Sequence, residues 1–383
     1  MKDSFANDLS DPNFQANSSD KDCGLNQDVV PVMKSPPYET FFQYHMMRNL
    51  PCLIQRVGRE WKSTKAWCKN GVPNFEYLKN KYGESVITVY HCDEKFFDSH
   101  KTSTMKFKEY VDYWKEYSAA EDKKGMELLY LKDWHLKNEY KDDDFYEVPQ
   151  YFSSDWLNEY LIANSKDDYR FVYMGPTGSW TPLHKDVMDT FSWSVNICGL
   201  KKWILFPPGQ ETHLINEFGQ LPHSIEHLPK NIKYFIVMQH PGDALFVPSK
   251  WYHQVWNLAD TISINHNWVN ATNIHHMKSN ILQGLMEIQK ELQHLSSDEN
   301  FHTECQKILK CHVGINCRDF NEFISFIASR RIQGYEKNLD NVHVKTMLVY
   351  ELEQIQKVLT QGTSKEDEEL EELRTQIESI LNC

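Results

Sequence analysis

The sequence predicts a mainly β fold, a closed or sandwiched antiparallel barrel flanked by helices. Eight short strand-like segments follow one another between residues 170 and 267, and turn residues separate them. Many short strands with regular turn signals are typical of β-sandwiches and β-barrels. Apolar residues recur at three- and four-residue spacing before and after this region. That periodicity indicates helices that pack through one face.

The N-terminal region is predicted to contain a tail and a buttress. Residues 1–30 are rich in Asn, Asp and Ser and have few apolar side chains, so we expect a disordered tail. Residues 31–125 are expected to form a mixed α/β segment that supports the outside of the barrel. Its predicted helices are 38–48, 75–81 and 107–117, with a strand at 86–90.

The barrel is predicted to span residues 126–272. The segment ELLYLKDW is strand-like, Gly199 begins a turn between two strands, and Pro241-Gly242-Asp243 opens a strand that Pro248 stops. The eight predicted strands are 170–174, 181–186, 191–197, 202–206, 234–239, 244–247, 252–257 and 261–267.

Residues 273–383 are predicted to be a helical C-terminal region, because apolar residues there recur at helical spacing. The predicted helices are 274–295, 304–309, 320–331 and 344–359. The acidic run EDEELEE at 366–372 is most simply the solvated face of a terminal helix, or a frayed tail.

Composition restricts the class of protein. The 383 residues are 40% hydrophobic, enough for one substantial core and an appended subdomain. The sequence has no apolar run of membrane-spanning length and no signal-peptide pattern, so we expect a cytoplasmic protein with no membrane partner. Nine cysteines without a CxxC pair argue against a disulfide framework and a paired-cysteine zinc module.

The charge balance gives an expectation about partners. The formal net charge of -13 disfavours nucleic acid, since phosphate contacts need clustered Lys and Arg. An acidic surface would favour encounter with a basic protein substrate. The sequence leaves the oligomeric state open.

Three side chains form a candidate metal site. His184 and Asp186 are two residues apart on a predicted strand, so both would point to the same face, and His253 follows the Pro248 break. By itself, a histidine–aspartate pair more often marks a solvated strand edge. A third ligand from a distant strand would complete a set of two imidazoles and one carboxylate with coordination positions left open, which is typical of a non-haem iron(II) site.

These segments, in this order, resemble a JmjC domain, the cupin-type branch of the 2-oxoglutarate- and iron(II)-dependent oxygenases. The resemblance is carried by His184, Asp186, GLKKWILFPP and PGDALFVPSKWYHQVWNLADTISINHNW, and it extends from about residue 35 to beyond residue 330. It implies a double-stranded β-helix barrel of the cupin or jelly-roll type. It also implies an iron(II) centre held by His184, Asp186 and His253, with 2-oxoglutarate as cosubstrate and O2 as oxidant.

The resemblance further implies cosubstrate contacts from Lys201, Thr181, Tyr130 and Asn265. A carboxylate in an enclosed pocket needs a cation and hydroxyl donors to offset its desolvation. Several alternatives remain open. Lys202 would replace Lys201 if the strand register moved by one residue. Thr181 and Tyr130 could be an ordinary strand hydroxyl and a core aromatic, and Asn267 could take the pocket role of Asn265.

The function that the resemblance implies is hydroxylation of a lysine side-chain carbon. The segments YLKDWH, YFSSDWLNEY, FSWSVNICG and TISINHNWVN are most similar to the lysyl hydroxylases of the eukaryotic translation release factor, which act in translation termination. A JmjC-type lysine demethylase is the alternative. Aspartate as second ligand and the lack of a reader or zinc module favour hydroxylation. A catalytically silent barrel that binds a protein, or a zinc-holding cupin, is a further alternative.

Overall fold

The computed structural model describes residues 27–225, 227–360 and 368–382. The tail predicted at 1–30 lies almost wholly outside these residues, as do the first two positions of the acidic run at 366–372. Within the described part, the chain forms sixteen strands and eleven α-helices. The predicted mainly β fold with flanking helices is confirmed.

The strands occur between residues 27 and 268. They are β1 (Gln27–Val29), β2 (Val32–Lys34), β3 (Cys52–Gln55), β4 (Cys68–Lys69), β5 (Val72–Pro73), β6 (Val86–Phe96), β7 (Ser99–Lys106), β8 (Leu129–Trp134), β9 (Arg170–Gly175), β10 (Trp180–His184), β11 (Phe191–Cys198), β12 (Lys201–Phe206), β13 (Tyr234–Gln239), β14 (Ala244–Val247), β15 (Tyr252–Asn257) and β16 (Thr261–Trp268).

The helices lie before, between and after the strands. They are α1 (Tyr38–Phe41, continued by a π-helical segment Phe42–Met46), α2 (Lys62–Ala66), α3 (Phe75–Tyr82), α4 (Phe107–Ala119), α5 (Leu136–Glu139), α6 (Trp156–Ala163), α7 (Ile274–Glu291), α8 (Phe301–Val313), α9 (Cys317–Lys337), α10 (Val342–Leu359) and α11 (Glu368–Leu381). None of these described helices has the length and apolar content needed to cross a membrane.

Two large sheets make up most of the β structure. The smaller has the order β1-β13-β12-β15-β10, and the larger has the order β2-β3-β14-β11-β16-β9-β8-β6-β7. Side chains of both sheets share one apolar cluster, to which the smaller contributes Trp203, Leu205 and Val255 and the larger contributes Leu245 and Val247. This cluster is the core between the sheets, as expected for a double-stranded β-helix of the jelly-roll type.

Strand β12 shows which of two adjacent lysines faces the inside of this fold. Trp203 and Leu205 belong to the core between the sheets, whereas Ile204 and Phe206 belong to a second apolar cluster. Because successive strand residues point to opposite faces, Lys201 lies on the inner face and Lys202 on the other. Gly199, with φ +75, precedes Lys201, and a Cβ there would overlap the carbonyl oxygen of Asp260.

The described chain divides into two compact units. The first contains residues up to 153 together with 169–185 and 192–266, which include nearly all of both sheets. The second contains 154–168, 186–191 and the residues from 267 onward. The domain boundaries predicted at residues 30, 125 and 272 stay predictions.

The second unit is mainly helical. Its core side chains come from α9, α10 and α11, and they include Phe323, Ile327, Ile355 and Ile377. Arg331 donates to Glu159 at 2.9 Å and to Glu351 at 2.7 Å, which ties α9 to α6 and to α10. Asn316 caps α9 by accepting from the Asp319 amide.

Candidate metal and cosubstrate site

His184, Asp186 and His253 come together in the structure. Each offers one ligand atom, and the three atoms all lie within 4.8 Å of one another. His184 ends β10 and is paired in register with His253 of β15. The two imidazole centroids are 4.3 Å apart. Two nitrogens and one oxygen therefore converge from segments that are distant in sequence.

The local backbone differs from the predicted strand 181–186, which was wrong at its C-terminal end. Strand β10 stops at His184, and its register against β15 shifts between Thr181 and His184. Asp186 keeps an extended backbone (φ -63, ψ 144), but a short 3₁₀ turn follows it directly. Met188 and Asp189 in this turn have positive φ. Asp186 is thus positioned by a turn after the strand and not by regular strand alternation.

Hydrogen bonds to the main chain fix the tautomer of both imidazoles. His184 Nδ1 lies 2.8 Å from the Pro182 carbonyl oxygen, and His253 Nδ1 lies 3.0 Å from the Trp251 carbonyl oxygen. A carbonyl oxygen can only accept, so Nδ1 carries the proton in each ring. The lone pair is then on Nε2, as a metal-binding histidine requires.

Asn267 holds the carboxylate of Asp186. Its Nδ2 donates to Asp186 Oδ1 at 2.9 Å and to Thr190 Oγ1 at 3.0 Å. An amide that orients a ligating carboxylate is a common supporting element of metal sites. The sequence suggested Asn267 only as a substitute for Asn265. The signal available there was the two-residue spacing, which places both amides on one face of β16.

Lys201 is a buried cation on the inner face of the smaller sheet. It is 2% exposed, and its Nζ donates to the Tyr130 hydroxyl at 3.2 Å. Burial, together with the nearby positive charge of Lys132, lowers the pKa of Lys201 to about 7. In the part of the chain that the structure describes, Lys201 forms no ion pair with a carboxylate. An ammonium in such a place is suited to bind an anion, which would offset its desolvation.

The other three predicted cosubstrate residues differ in whether they contact Lys201. Tyr130 contacts Lys201 directly, as stated above, and is 2% exposed. Thr181 is paired with Val255 of the inner core. Asn265 is 8% exposed and donates to Ser263 Oγ at 3.0 Å. Among the described side chains, Thr181 and Asn265 do not hydrogen-bond to Lys201.

A second group of possible ligands lies at His91, Glu94 and Glu127, again with ligand atoms within 4.8 Å. His91 Nδ1 is 3.5 Å from Glu127 Oε2, and Lys101 Nζ is 2.7 Å from Glu94 Oε2. Glu127 is exposed and Glu94 is partly exposed. The group is therefore best described as a surface ion-pair cluster.

The double-sheet fold and the converging imidazoles and carboxylate define the class of cupin-type metal-site barrels. A family model described as "Cupin-like domain" matches residues 38–274. Strands β3 to β16 all lie within the matched residues.

Curated relatives define the family more narrowly. The chain is 40% identical over 367 residues to "2-oxoglutarate and iron-dependent oxygenase JMJD4" of Gallus gallus, covering 89% of this chain and 86% of that protein. It is 41% identical over 326 residues to the "JMJD4 homolog" of Drosophila melanogaster, covering 77% of each. It is 35% identical over 319 residues to "Arginine-specific demethylase JMJ20" of Arabidopsis thaliana, covering 76% of this chain and 68% of that protein.

The chain belongs to the cupin-like JmjC family of 2-oxoglutarate- and iron-dependent oxygenases. The family predicted from the sequence is confirmed, and iron and 2-oxoglutarate are its cofactors.

Proposed function

We propose that this protein is an iron(II)- and 2-oxoglutarate-dependent protein hydroxylase that modifies a lysine side-chain carbon of the eukaryotic translation release factor. The observation that carries the oxygenase part is the convergence of His184, Asp186 and His253 within 4.8 Å. The choice of substrate rests on the sequence segments around Tyr130, Tyr151, Phe191 and Thr261 that resemble release-factor lysyl hydroxylases.

The three donors fit iron(II). Two neutral imidazole nitrogens and one carboxylate oxygen form the donor set that non-haem iron oxygenases use, with the remaining positions open to ligands from solution. In this proposal His184 and His253 bind through Nε2, because a main-chain carbonyl accepts from each Nδ1. Asp186 binds through its carboxylate, and Asn267 keeps that carboxylate oriented.

The proposed cosubstrate site is the inner chamber around Lys201. Lys201 would pair with the carboxylate of 2-oxoglutarate that does not touch the metal, and the hydroxyls of Tyr130 and Thr181 would donate to it. Asn265 would line the same chamber. When bound, the metal and its cosubstrate supply the oxidation: one atom of O2 enters a substrate C–H bond and the other leaves in succinate, with loss of CO2.

The contribution of the protein is to position both reactants and to exclude water from the cosubstrate. The burial of Tyr130 and Lys201 supports this role, since a charge-assisted hydrogen bond is stronger in a dry pocket than in water.

Mass spectrometry of a release-factor domain tests the proposal. After incubation with the full-length protein, iron(II) and 2-oxoglutarate, we expect the gain of one oxygen on a lysine and a matching release of succinate. An Asp186→Ala variant is the control and should give neither product. Succinate formation without an oxygen on lysine would overturn the lysine assignment.

Demethylation is the second candidate, since one relative is named an arginine-specific demethylase. A methylated lysine or arginine peptide in the same assay distinguishes the two reactions, because demethylation releases formaldehyde and leaves a lighter peptide. A silent protein-binding barrel would produce no succinate with any of these substrates.

The proposal also includes a cytoplasmic location and a role in translation termination. A tagged protein should be found in the cytoplasm by fluorescence microscopy. Cells that lack the protein should read through stop codons more often, and an Asp186→Ala copy should not restore termination. Restoration by that inactive copy would contradict a catalytic role in termination.

A further inference from the structure

A carboxylate on β8 of the larger sheet connects two tyrosines whose rings lie near buried lysines. Asp133 lies on β8, between β6 and β9 in the sheet. Its Oδ2 accepts from the Tyr90 hydroxyl at 2.7 Å, and its Oδ1 accepts from the Tyr173 hydroxyl at 2.6 Å. One side chain therefore joins tyrosines from both neighbouring strands through two short hydrogen bonds to a charged acceptor.

The backbone at Asp133 supports this arrangement. Its φ is +57, a conformation that costs free energy for most residues and that Asp and Asn adopt more readily. The pairing of β8 with β9 shifts register between Leu131 and Trp134, which surround it. Such bulges commonly redirect a side chain near an active site. Here the bulge brings the carboxylate between Tyr90 and Tyr173.

Each tyrosine ring faces a different buried ammonium group. Lys132 Nζ lies 4.1 Å from the centroid of the Tyr90 ring, and Lys201 Nζ lies 5.7 Å from the centroid of the Tyr173 ring. Both lysines are at most 6% exposed. Attraction between a cation and an aromatic face depends on the position of the ring, so a fixed ring holds the ammonium in place.

We propose that Asp133 is a positioning residue for the cosubstrate chamber, fixing Tyr90 and Tyr173 so that Lys132 and Lys201 present two positive charges to the buried carboxylate of 2-oxoglutarate. This inference rests on the proposed function, and it adds Lys132 as a second cation that the sequence did not single out. Burial lowers the pKa of both Lys132 and Lys201, and repulsion from the positive charge of Lys132 contributes to the lowered pKa of Lys201. An anion between them would relieve that repulsion.

The Asp133→Asn variant tests the inference in the full-length protein. Asparagine tolerates the left-handed backbone but keeps only one acceptor oxygen, so one tyrosine loses its partner. We expect the KM for 2-oxoglutarate, and its Kd measured by calorimetry on Mn²⁺-loaded protein, to rise about tenfold. The kcat and the KM for the protein substrate should change less than about twofold, because an effect on binding alone leaves kcat unchanged.

Single-hydroxyl variants separate positioning from general stability. Tyr173→Phe and Tyr90→Phe should each weaken 2-oxoglutarate binding, the first more strongly because its ring faces Lys201. The matched control is Tyr82→Phe, which removes a buried 2.7 Å hydrogen bond from a tyrosine to Asp143. It should lower the melting temperature and leave the affinity for 2-oxoglutarate unchanged.

Two results would overturn the inference while leaving the proposed function in place. One is wild-type affinity for 2-oxoglutarate in both Asp133→Asn and Tyr173→Phe. The other is an equal loss of affinity in Tyr82→Phe. If the wild-type protein itself does not bind 2-oxoglutarate, the proposed function fails, and the inference fails with it.

Discussion

The proposed metal ligands and the proposed cosubstrate residues lie in regions of different backbone regularity. His184 is the last residue of β10, and Asp186 precedes a turn in which two residues have positive φ. Lys201, in contrast, starts a continuous ladder in which it is paired with Gln239 on one side and Asn257 on the other. His184 and Asp186 therefore lie where regular structure ends, whereas His253 and Lys201 each lie inside a ladder.

This difference fits the sizes of the two molecules that the proposed function requires, a protein substrate and 2-oxoglutarate. His184 and Asp186 are partly exposed, whereas Lys201 is 2% exposed. The proposed protein substrate would have to reach the metal from outside, so His184 and Asp186 cannot be enclosed by strands on every side. A small diacid benefits from a dry pocket, where its charge interacts strongly with the ammonium group. Substitutions in the two regions should therefore impair different properties, metal binding in the first region and 2-oxoglutarate binding in the second.

The largest effect is expected from His184→Ala. Loss of one of three ligands should remove bound iron and reduce succinate release to background, because the two remaining side chains hold the metal weakly. Iron content and succinate release measure the two effects. His213→Ala, at an exposed histidine, is the control and should behave like wild type. Normal turnover in His184→Ala would place the reaction at another site.

Lys201→Met and Lys202→Met distinguish the two faces of β12. Charge-assisted hydrogen bonds contribute about 1.5–3 kcal/mol, so Lys201→Met should raise the KM for 2-oxoglutarate roughly tenfold to a hundredfold. Iron binding should be unaffected. Lys202→Met should leave this KM near wild type, because that side chain is on the other face. If the KM for 2-oxoglutarate rose more in Lys202→Met than in Lys201→Met, the cosubstrate contact would belong to Lys202.

Asn267→Ala should impair iron binding, whereas Asn265→Ala should impair 2-oxoglutarate binding. Loss of the amide that orients Asp186 should weaken iron binding by about tenfold or more and leave the KM for 2-oxoglutarate unchanged at saturating iron. Asn265→Ala should raise that KM and leave iron binding unchanged. Titration of each variant with iron and then with 2-oxoglutarate measures both quantities. If both variants impair only cosubstrate binding, the role assigned to Asn267 is wrong.

A change of pH within one unit above 7 is expected to have the smallest effect. The pKa of Lys201 is lowered to about 7 by burial, so the free protein loses this positive charge as pH rises above about 7. The carboxylates of 2-oxoglutarate stay ionised, and the KM should rise by up to about tenfold per pH unit above that value. Below it, the KM should be constant. The same titration of Lys201→Met should show no such rise, and a parallel rise there would assign the effect to another group.

The sequence predicts the strands of the barrel well because their turns are clearly marked. The strands predicted at 234–239, 244–247 and 252–257 match β13, β14 and β15 residue for residue. The predicted strand 191–197 is one residue shorter than β11. Gly199 follows β11, Pro241 and Gly242 separate β13 from β14, and Pro248 follows β14, so the local sequence marks these ends.

Other elements have weaker local signals. Strand β7 reads SHKTSTMK and is mostly exposed, so its pairing with β6 and not its composition makes it a strand. The end of β10 depends on a register shift against β15, which is a tertiary effect. Asp133 was missed for a similar reason, because its partners Tyr90 and Tyr173 are about forty residues away on either side.

The carbonyl oxygens of Pro182 and Trp251 have a consequence for how this centre evolves. Every residue has a main-chain carbonyl, so no exchange of side chain at position 182 or 251 deletes the acceptor behind either imidazole. As long as β10 and β15 keep their backbone conformation, the orientation of the His184 and His253 rings is preserved. Substitutions of the residues beside the histidines therefore need not change the orientation of the two imidazole rings.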